Sequence, residues 1–379
     1  MNEEGGQKPD FEIQKLNLLA FPRDQFPKCE LTGISATVQL VTPHCTLYYG
    51  SFLLAEQAWY GIIQKIAHLI APLLKPAPMI GTREERAKRA SNINISKRSL
   101  IDFCLAESTN LLSVQKFQLA IPAATQALKF SKEIDGDNSI LIVEPYLQLA
   151  QAFLGLKRYR ECEEYLSLAK WIVLNSPECN DLTRSRLHQL LGRLNISQGQ
   201  FITAKAEFAK AVYYSSRCFG AESIATSIGY YRLGDVFLAL GNAENALAFF
   251  DKVVDIWYKY LSALHSQVEI SMMGEGAPEA PQAISEQLTE EHIAEGRTQL
   301  QCVLEHRKQL LGESHIATGE AQYTIGLFEY FLLGNQVTAN EFLSASLDSY
   351  EAQLGAQHPS TMHVSSVLLM VRSQSQVFN

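Results

Sequence analysis

A pair made of a bulky apolar residue and a small one recurs along this chain with a constant step. It stands at Leu149-Ala150, Leu191-Gly192 and Leu233-Gly234, so the small member falls at 150, 192 and 234, a step of 42 each time. A second small position, Ala120, Cys162, Ala204 and Ala246, keeps the same step, and each later pair continues in the same way: Cys162…Leu166…Ala169, Ala204…Phe208…Ala211, Ala246…Phe250…Val253. Apolar residues at three- and four-residue intervals mark helices, and the Gly-containing stretches between them mark turns. Two antiparallel helices approach closely only where no side chain stands between their backbones, while the large residue fills the space toward the next pair. The pattern therefore predicts helix after helix from about Ile101 onward. A later unit, Ile325-Gly326 with Thr338, Phe342 and Ala345, continues it with an imperfect match at Thr338.

The order Leu-Gly, turn, Ala, Phe, Ala resembles the tetratricopeptide repeat, whose usual period is about 34 residues. Adding one turn of about 3.6 residues to each helix brings that period close to 42. The loops Arg217-Cys218-Phe219-Gly220-Ala221-Glu222, Leu311-Gly312-Glu313-Ser314-His315 and Leu354-Gly355-Ala356-Gln357-His358-Pro359 occupy one place in the unit. They resemble the Leu-Gly-x-x-His-Pro loop of the longer repeats of kinesin light chains. The expected fold is all-α, a tetratricopeptide-repeat superhelix with a period of about 42 residues. The sequence MMGEGAPEAPQA at 272–283 interrupts the array as a loop insertion. Its Gly274-x-Gly276 has neither a strand before it nor a helix opening after it, as a nucleotide fingerprint would need.

The composition agrees with a folded, non-nucleic-acid-binding chain: 379 residues, 47% hydrophobic, 19% charged and a net charge of −8. Such a chain can bury a large core, and its charge offers no footprint for a phosphate backbone. No run of 18 apolar residues occurs, and the opening MNEEGGQKPDFEIQ is acidic where a secretory signal is basic and then apolar. The seven cysteines are odd in number and widely spaced, which suits reduced thiols. A soluble, intracellular protein is expected.

Residues 29–74 differ from the repeats, being rich in Thr, Tyr and Cys and opening with the β-prone stretch 36–41. The sparse series Cys29-x-x-Thr32, Thr42-x-x-Cys45, Tyr48-Tyr49-Gly50, Leu54, Trp59, Ile63 and Ala67 resembles a MYND-type zinc finger, in which Cys and His side chains close two zinc shells. Only Cys29 and Cys45 stand at ligand places. Thr32, Thr42, Gly50, Leu54, Ile63 and Ala67 offer no zinc-binding group, and His44 and His68 lie one residue off such places. A degenerate, metal-free module is expected, with no cofactor. The resulting layout is an N-terminal extension (1–28), the MYND-like module and its helix (29–74), a linker (75–98) and the repeat domain (99–379). Arg83, Arg86, Lys88 and Arg89, interleaved with Glu84 and Glu85, read as a solvated helix face.

This order of parts resembles that of the zinc finger MYND domain-containing proteins of cilia and flagella. The more specific stretches are Ile121-Pro122-Ala123-Ala124, Glu163-Glu164-Tyr165-Leu166 with Ala169-x-Trp171, Phe219-Gly220-Ala221-Glu222 and Ile256-Trp257. The resemblance implies an axonemal protein of the cytoskeleton that partners another tetratricopeptide protein and an inner-arm dynein heavy chain, with no nucleic-acid or membrane partner. A cargo adaptor of the kinesin light-chain kind is the alternative. A methyltransferase of the MYND class would carry a β-rich SET domain, for which no segment exists here. Neither His-Glu-x-x-His, Gly-x-Ser-x-Gly nor Gly-x-x-x-x-Gly-Lys occurs, and His188, His306 and His315 are isolated. A non-catalytic scaffold is expected. In repeats of this kind the second, fifth and ninth places of the first helix face a partner-binding groove. With the small residue of each pair as the eighth place, the resemblance assigns Glu144, Leu147 and Gln151, then Arg186, Gln189 and Arg193, then Ile228, Tyr231 and Asp235. Tyr231 is the one aromatic anchor, placed outside the expected core.

Overall fold

The computed structural model describes residues 11–22, 26–74, 82–273 and 288–375. The chain divides into two compact units, Met1–Thr183 and Arg184–Asn379.

In the first unit the β-prone stretch forms β2 (Val38–Val41), paired antiparallel with β1 (Glu12–Lys15) and β3 (Thr46–Tyr49). β1 lies outside the β-prone stretch 36–41 that the sequence marked. The extra strand closes one edge of β2, and Phe11 beside it stacks on Trp59 at 4.6 Å between ring centroids. A helix follows in three pieces, α1 (Phe52–Ala58), a π-helical turn (Trp59–Ile63) and α2 (Gln64–Leu74), opened by the Ser51 side chain accepting the Leu54 N–H. Trp59, Ile62 and Ile66 pack with Leu40, Tyr49, Cys104, Ala127 and Phe130 in one core, so the N-terminal module and the helices behind it are a single hydrophobic body. At about 2 kcal/mol per large apolar side chain removed from water, these contacts contribute strongly to holding the module together.

Those helices are α3 (Arg83–Ser113) and α4 (Phe117–Asp135). Thr82 and Glu85 form a reciprocal capping box at the start of α3. Residues 83–98, read from sequence as part of a linker, are therefore helical, and Lys97 and Arg98 hold Glu133 and Asp135 of α4 at 2.6 and 2.7 Å. Residues 75–81 and 1–10 lie outside the described residues. The helices α5 (Val143–Gly155) and α6 (Tyr159–Asn175) complete this unit.

The second unit contains most of α7 (Asp181–Ser197), then α8 (Phe201–Phe219), α9 (Ile224–Ala239) and α10 (Ala243–Met273). After the insertion come α11 (Glu290–Leu311), α12 (Ile316–Phe331), α13 (Gln336–Leu354) and α14 (Pro359–Ser375). Residues 274–287, which hold most of the predicted insertion and its Gly274-x-Gly276, lie outside the described residues.

The 42-residue step has a direct physical basis. Ala120, Cys162, Ala204 and Ala246 are all fully buried, as are Leu166, Phe208 and Phe250. The turn inside each pair repeats as well. Lys157, Gly199 and Gly241 take positive φ angles of 59°, 74° and 75°. The following N–H groups of Arg158, Gln200 and Asn242 donate back to the carbonyls of Phe153, Asn195 and Phe237, which satisfies the helix end. Between pairs, Gly220 and Gly312 turn the chain, and the hydroxyls of Thr226 and Thr318, each six residues on, donate to their carbonyls at 2.9 and 2.8 Å. The loop histidines are caps. His315 Nδ1 accepts the Ala317 N–H and His358 Nδ1 the Ser360 N–H.

In the fourth pair the sequence reading is off by one. The buried residues of α13 are Ala339, Leu343 and Ser346 rather than Thr338, Phe342 and Ala345. The turn is one residue longer there: its positive-φ residue is Gly334, eight places after Gly326, where Gly199 and Gly241 stand seven places after Gly192 and Gly234. Every later residue of the hairpin moves by one as a result.

A helix with no counterpart in the repeat pattern also joins this unit. α11 runs antiparallel to α10, with the His306 ring stacked on Phe250 at 5.3 Å, Arg307 bonded to Asp251 at 2.5 Å, and Gly296 seated against the indole of Trp257. A Cβ at 296 would collide with that ring, so the glycine permits the approach.

Candidate functional site

The predicted groove positions separate into two groups. Glu144, Gln151, Arg186, Gln189, Arg193, Ile228 and Asp235 keep partial exposure. Leu147 and Tyr231 are core residues, Leu147 fully buried and Tyr231 only 8% exposed. The expectation of Tyr231 as an open aromatic anchor is corrected by α11. Tyr231 shares one buried cluster with Leu300, Val303 and Leu304 of that helix, and burial, with Asp235 beside it, pushes its hydroxyl pKa up. Asp235 faces His306 at 3.7 Å and Arg232 faces Glu295 at 3.7 Å. The α9 row is thus contacted from within the chain.

The histidines read as isolated all have partners. His188 Nδ1 meets Glu207 Oε2 at 2.5 Å, and its ring stacks on Tyr214 at 5.7 Å. That hydrogen bond holds the Glu207 carboxyl down at about 2, against the opposing effect of burial, with Lys210 adding at 3.2 Å. His306 and His315 are accounted for by the Phe250 stack and the α12 cap.

The most site-like feature of the second unit is a cavity of about 620 Å³ lined from five helices: α10, α11, α12, α13 and α14. Arg307, 1% exposed, contributes to its wall, its guanidinium bonded to Asp251 and to the Ala317 carbonyl. Tyr258 and Tyr323 lie 6.1 Å apart between ring centroids, and the Tyr323 hydroxyl meets His363 Nε2 at 3.0 Å. Asp255 is paired with Lys259 at 3.0 Å, and Lys259 also reaches Glu222 at 3.2 Å. Glu320 stands in the wall with its pKa raised, because burial outweighs the attraction of Arg307. A volume of this size is that of a ligand pocket.

This cavity was not named from the sequence, although a signal for part of it existed. Counting places from Gly326 as from Gly192 and Gly234 puts Glu320 second and Tyr323 fifth in their unit, and both line the cavity. Tyr258, Arg307 and His363 could not have been found in this way, since the insertion and α11 break the step between 246 and 326.

At the N-terminal module, the places that carry zinc ligands in a MYND finger do other work. Thr42 accepts the N–H groups of His44 and Cys45 and donates to the Cys45 carbonyl at 2.7 Å, closing the turn that a knuckle of ligands would close. Ile63 and Ala67 are core residues. The Cys29 thiol is buried, Cys45 lies against Thr42 and the Ala67 carbonyl, and burial raises its thiol pKa. The His44 and His68 rings face each other at 6.0 Å. Among the described residues no group of three or more His, Cys, Asp or Glu is gathered for a metal, and no helix is long and apolar enough to cross a membrane.

Residues 183–259, which span the pairs α7–α8 and α9–α10, match the sequence model of the family described as Tetratricopeptide repeat. Among solved structures, the nearly identical TPR-like repeats of a kinesin light chain from Podosopora anserina are similar at 13% identity and a TM-score of 0.35, over 67% of this chain and 94% of that one. The Rap protein complexed with competence and sporulation factor is similar at 14% identity and a TM-score of 0.34, over 73% of this chain and 72% of that one. Likeness at these scores carries nothing about partners. The helix pairs within residues 183–259 match the tetratricopeptide repeat, and the same small-residue contacts and turns recur in the flanking pairs.

Proposed function

We propose that this chain is a protein-interaction scaffold of the ciliary or flagellar axoneme, without catalysis of its own, which docks or stabilises inner-arm dynein on doublet microtubules. The observation that carries this reading is the order of parts. A small β-bearing module shares one core with a helix pair, and long-period tetratricopeptide pairs follow. That order resembles zinc finger MYND domain-containing protein 12, a component of cilia and flagella. The partners it implies are a second tetratricopeptide protein and an inner-arm dynein heavy chain, and the implied location is the axoneme. Repeated hairpins supply extended surface for such contacts.

The test is affinity purification of the tagged chain from ciliated cells after mild cross-linking, with quantitative mass spectrometry. Enrichment of an inner-arm dynein heavy chain and a tetratricopeptide protein is expected. Enrichment of a kinesin heavy chain without dynein would replace this reading with the cargo-adaptor one. Methyl transfer to a protein substrate by the purified chain would overturn its non-catalytic part.

A further inference from the structure

The helix α8 carries a second apolar stripe, on the side away from the one that packs. Its core side is Ala204, Phe208, Ala211 and Ser215, all buried. At about 100° of turn per residue, the opposite side is Ile202, Ala206, Ala209, Tyr213 and Ser216. Ile202 is 73% exposed and Tyr213 57%, and Ala206 and Ala209 between them are exposed as well. The steps along this stripe are four, three, four and three, the spacing of a coiled-coil seam. Two alanines in the middle of a seam let a facing helix approach closely. The repeat itself does not require the stripe. One unit later, the same five places in α10 are Glu244, Ala248, Asp251, Asp255 and Tyr258.

A second, independent observation is the charge beside the seam. Lys210 and Arg217 run along one side of it, one heptad apart, and Lys205 stands on the other. Glu207, the one acidic residue of α8, is buried against His188 and reaches Lys210 at 3.2 Å. The Arg217 guanidinium lies over the exposed Tyr213 ring at 5.7 Å, and the Lys205 ammonium over Phe237 of α9 at 5.6 Å. In a chain of net charge −8, the borders of this seam are basic. A polyanion alone would use the cations and leave the apolar stripe in water, whereas a helix with acidic borders uses both.

From the exposed seam and its basic borders we infer that the outer side of α8 is a docking site for an amphipathic helix of a partner protein, apolar along one stripe and acidic beside it. Ile202 and Tyr213 pack against the partner's apolar side chains, Ala206 and Ala209 set the close approach, and the partner's carboxylates pair with Lys205, Lys210 and Arg217. Charges bordering a seam choose the partner and its orientation. This site rests on the reading of the chain as a protein-interaction scaffold and names the chemistry of one contact that such a scaffold makes.

The full chain is titrated at low salt, by fluorescence anisotropy, with a labelled peptide of about three heptads that has Leu at the seam places, Glu at the bordering places and Ala elsewhere. A second peptide has Lys in place of each Glu. The Glu peptide is expected to bind at least about tenfold more tightly than the Lys peptide, with the difference shrinking as salt is raised. Lys210→Glu combined with Arg217→Glu should weaken the Glu peptide by about tenfold and strengthen the Lys peptide. Ala209→Gln, at an exposed place and with a good helix former, should leave the thermal midpoint unchanged and weaken the Glu peptide by at least about fivefold, because it fills the close approach. That variant decides the matter should the charge reversal lower the thermal midpoint. Equal binding of the two peptides, no binding of the Glu peptide at millimolar concentration, or full binding by Ala209→Gln overturns the assignment. Sedimentation of the chain alone as a dimer that Ala209→Gln dissolves would seat a second copy on the seam and also overturns it. None of these outcomes bears on dynein recovery from cells, so the scaffold reading stands or falls separately.

Discussion

Phe208 lies on Gly192 so closely that a Cβ placed on the glycine would stand 2.7 Å from the ring. Gly234 and Phe250 repeat the contact one unit later, and Gly326 meets Leu343 in the fourth pair. The small residue that marks the repeat in sequence is therefore the floor on which the next helix rests its largest side chain. Gly192→Ala sets two effects against each other. Alanine gains about 1 kcal/mol of helix propensity over glycine. Overpacking a filled core costs about 1–3 kcal/mol, and Phe208 is fully buried with no room to retreat. A net loss on the order of 1 kcal/mol is expected in chemical denaturation. Adding Phe208→Leu should recover part of it, and a double-mutant cycle showing no coupling between the two sites would remove the contact as the cause.

The turn residues of successive pairs allow a matched test. Lys157 adopts the same left-handed conformation that Gly199 and Gly241 adopt, with φ of 59° against 74° and 75°. A side chain there costs about 1 kcal/mol, and glycine avoids that cost. Lys157→Gly should stabilise the protein by up to about 1 kcal/mol, and Gly241→Lys should destabilise it by a similar amount. Urea midpoints moving in the same direction for both variants would contradict this account of the turn.

The sequence made these contacts legible because they depend on residue size at fixed spacing. Ala120, Cys162, Ala204 and Ala246 need no tertiary knowledge to be picked out, and all are buried. What it could not show is where a constant step ceases to hold. One extra residue before Gly334 shifted the buried face of α13 by one place, and a turn of six residues reads much like one of five. The N-terminal strand β1 was missed because only its pairing with β2 makes a four-residue stretch, Glu12–Lys15, into a strand. At the candidate site, Glu320 and Tyr323 follow the repeat register, while Arg307 and Tyr258 meet them only because α11 folds back on α10.

The pair His188 and Glu207 predicts a pH dependence. The folded carboxyl titrates at about 2, held down first by the His188 hydrogen bond, while in the unfolded chain it returns to the ordinary carboxylate range near 4.5. A group whose folded pKa is depressed contributes stability above its unfolded value and loses it as pH falls toward the folded one. Glu207→Gln should therefore be less stable than the parent at pH 7, and the gap should narrow steadily from about pH 4.5 downward. Thermal midpoints of both proteins between pH 7 and pH 3 measure this. A gap that stays constant across the range would mean that the ionised carboxylate is not what the pair contributes.

Tyr231 provides the sharpest contrast between a surface anchor and a core residue. As a groove anchor its removal would cost partner binding and leave stability alone. In the structure its ring packs 6.2 Å from Phe250, it shares a buried cluster with Leu300, Val303 and Leu304 of α11, and only 8% of the residue is exposed. Truncation of a buried aromatic to alanine typically costs about 3–5 kcal/mol, so Tyr231→Ala should unfold much of the second unit's margin of stability. Tyr231→Phe keeps the ring and loses only the hydroxyl, for which about 1 kcal/mol is the expected cost. Because the ring packs in one cluster with Leu300, Val303 and Leu304 of α11, Tyr231→Ala should also loosen that helix, read as faster amide exchange across Glu290–Leu311. If Tyr231→Ala is as stable as Tyr231→Phe and exchange in α11 is unchanged, the tyrosine does not hold α11 to α9. Its ring would then be available to a partner, as the repeat register alone suggested.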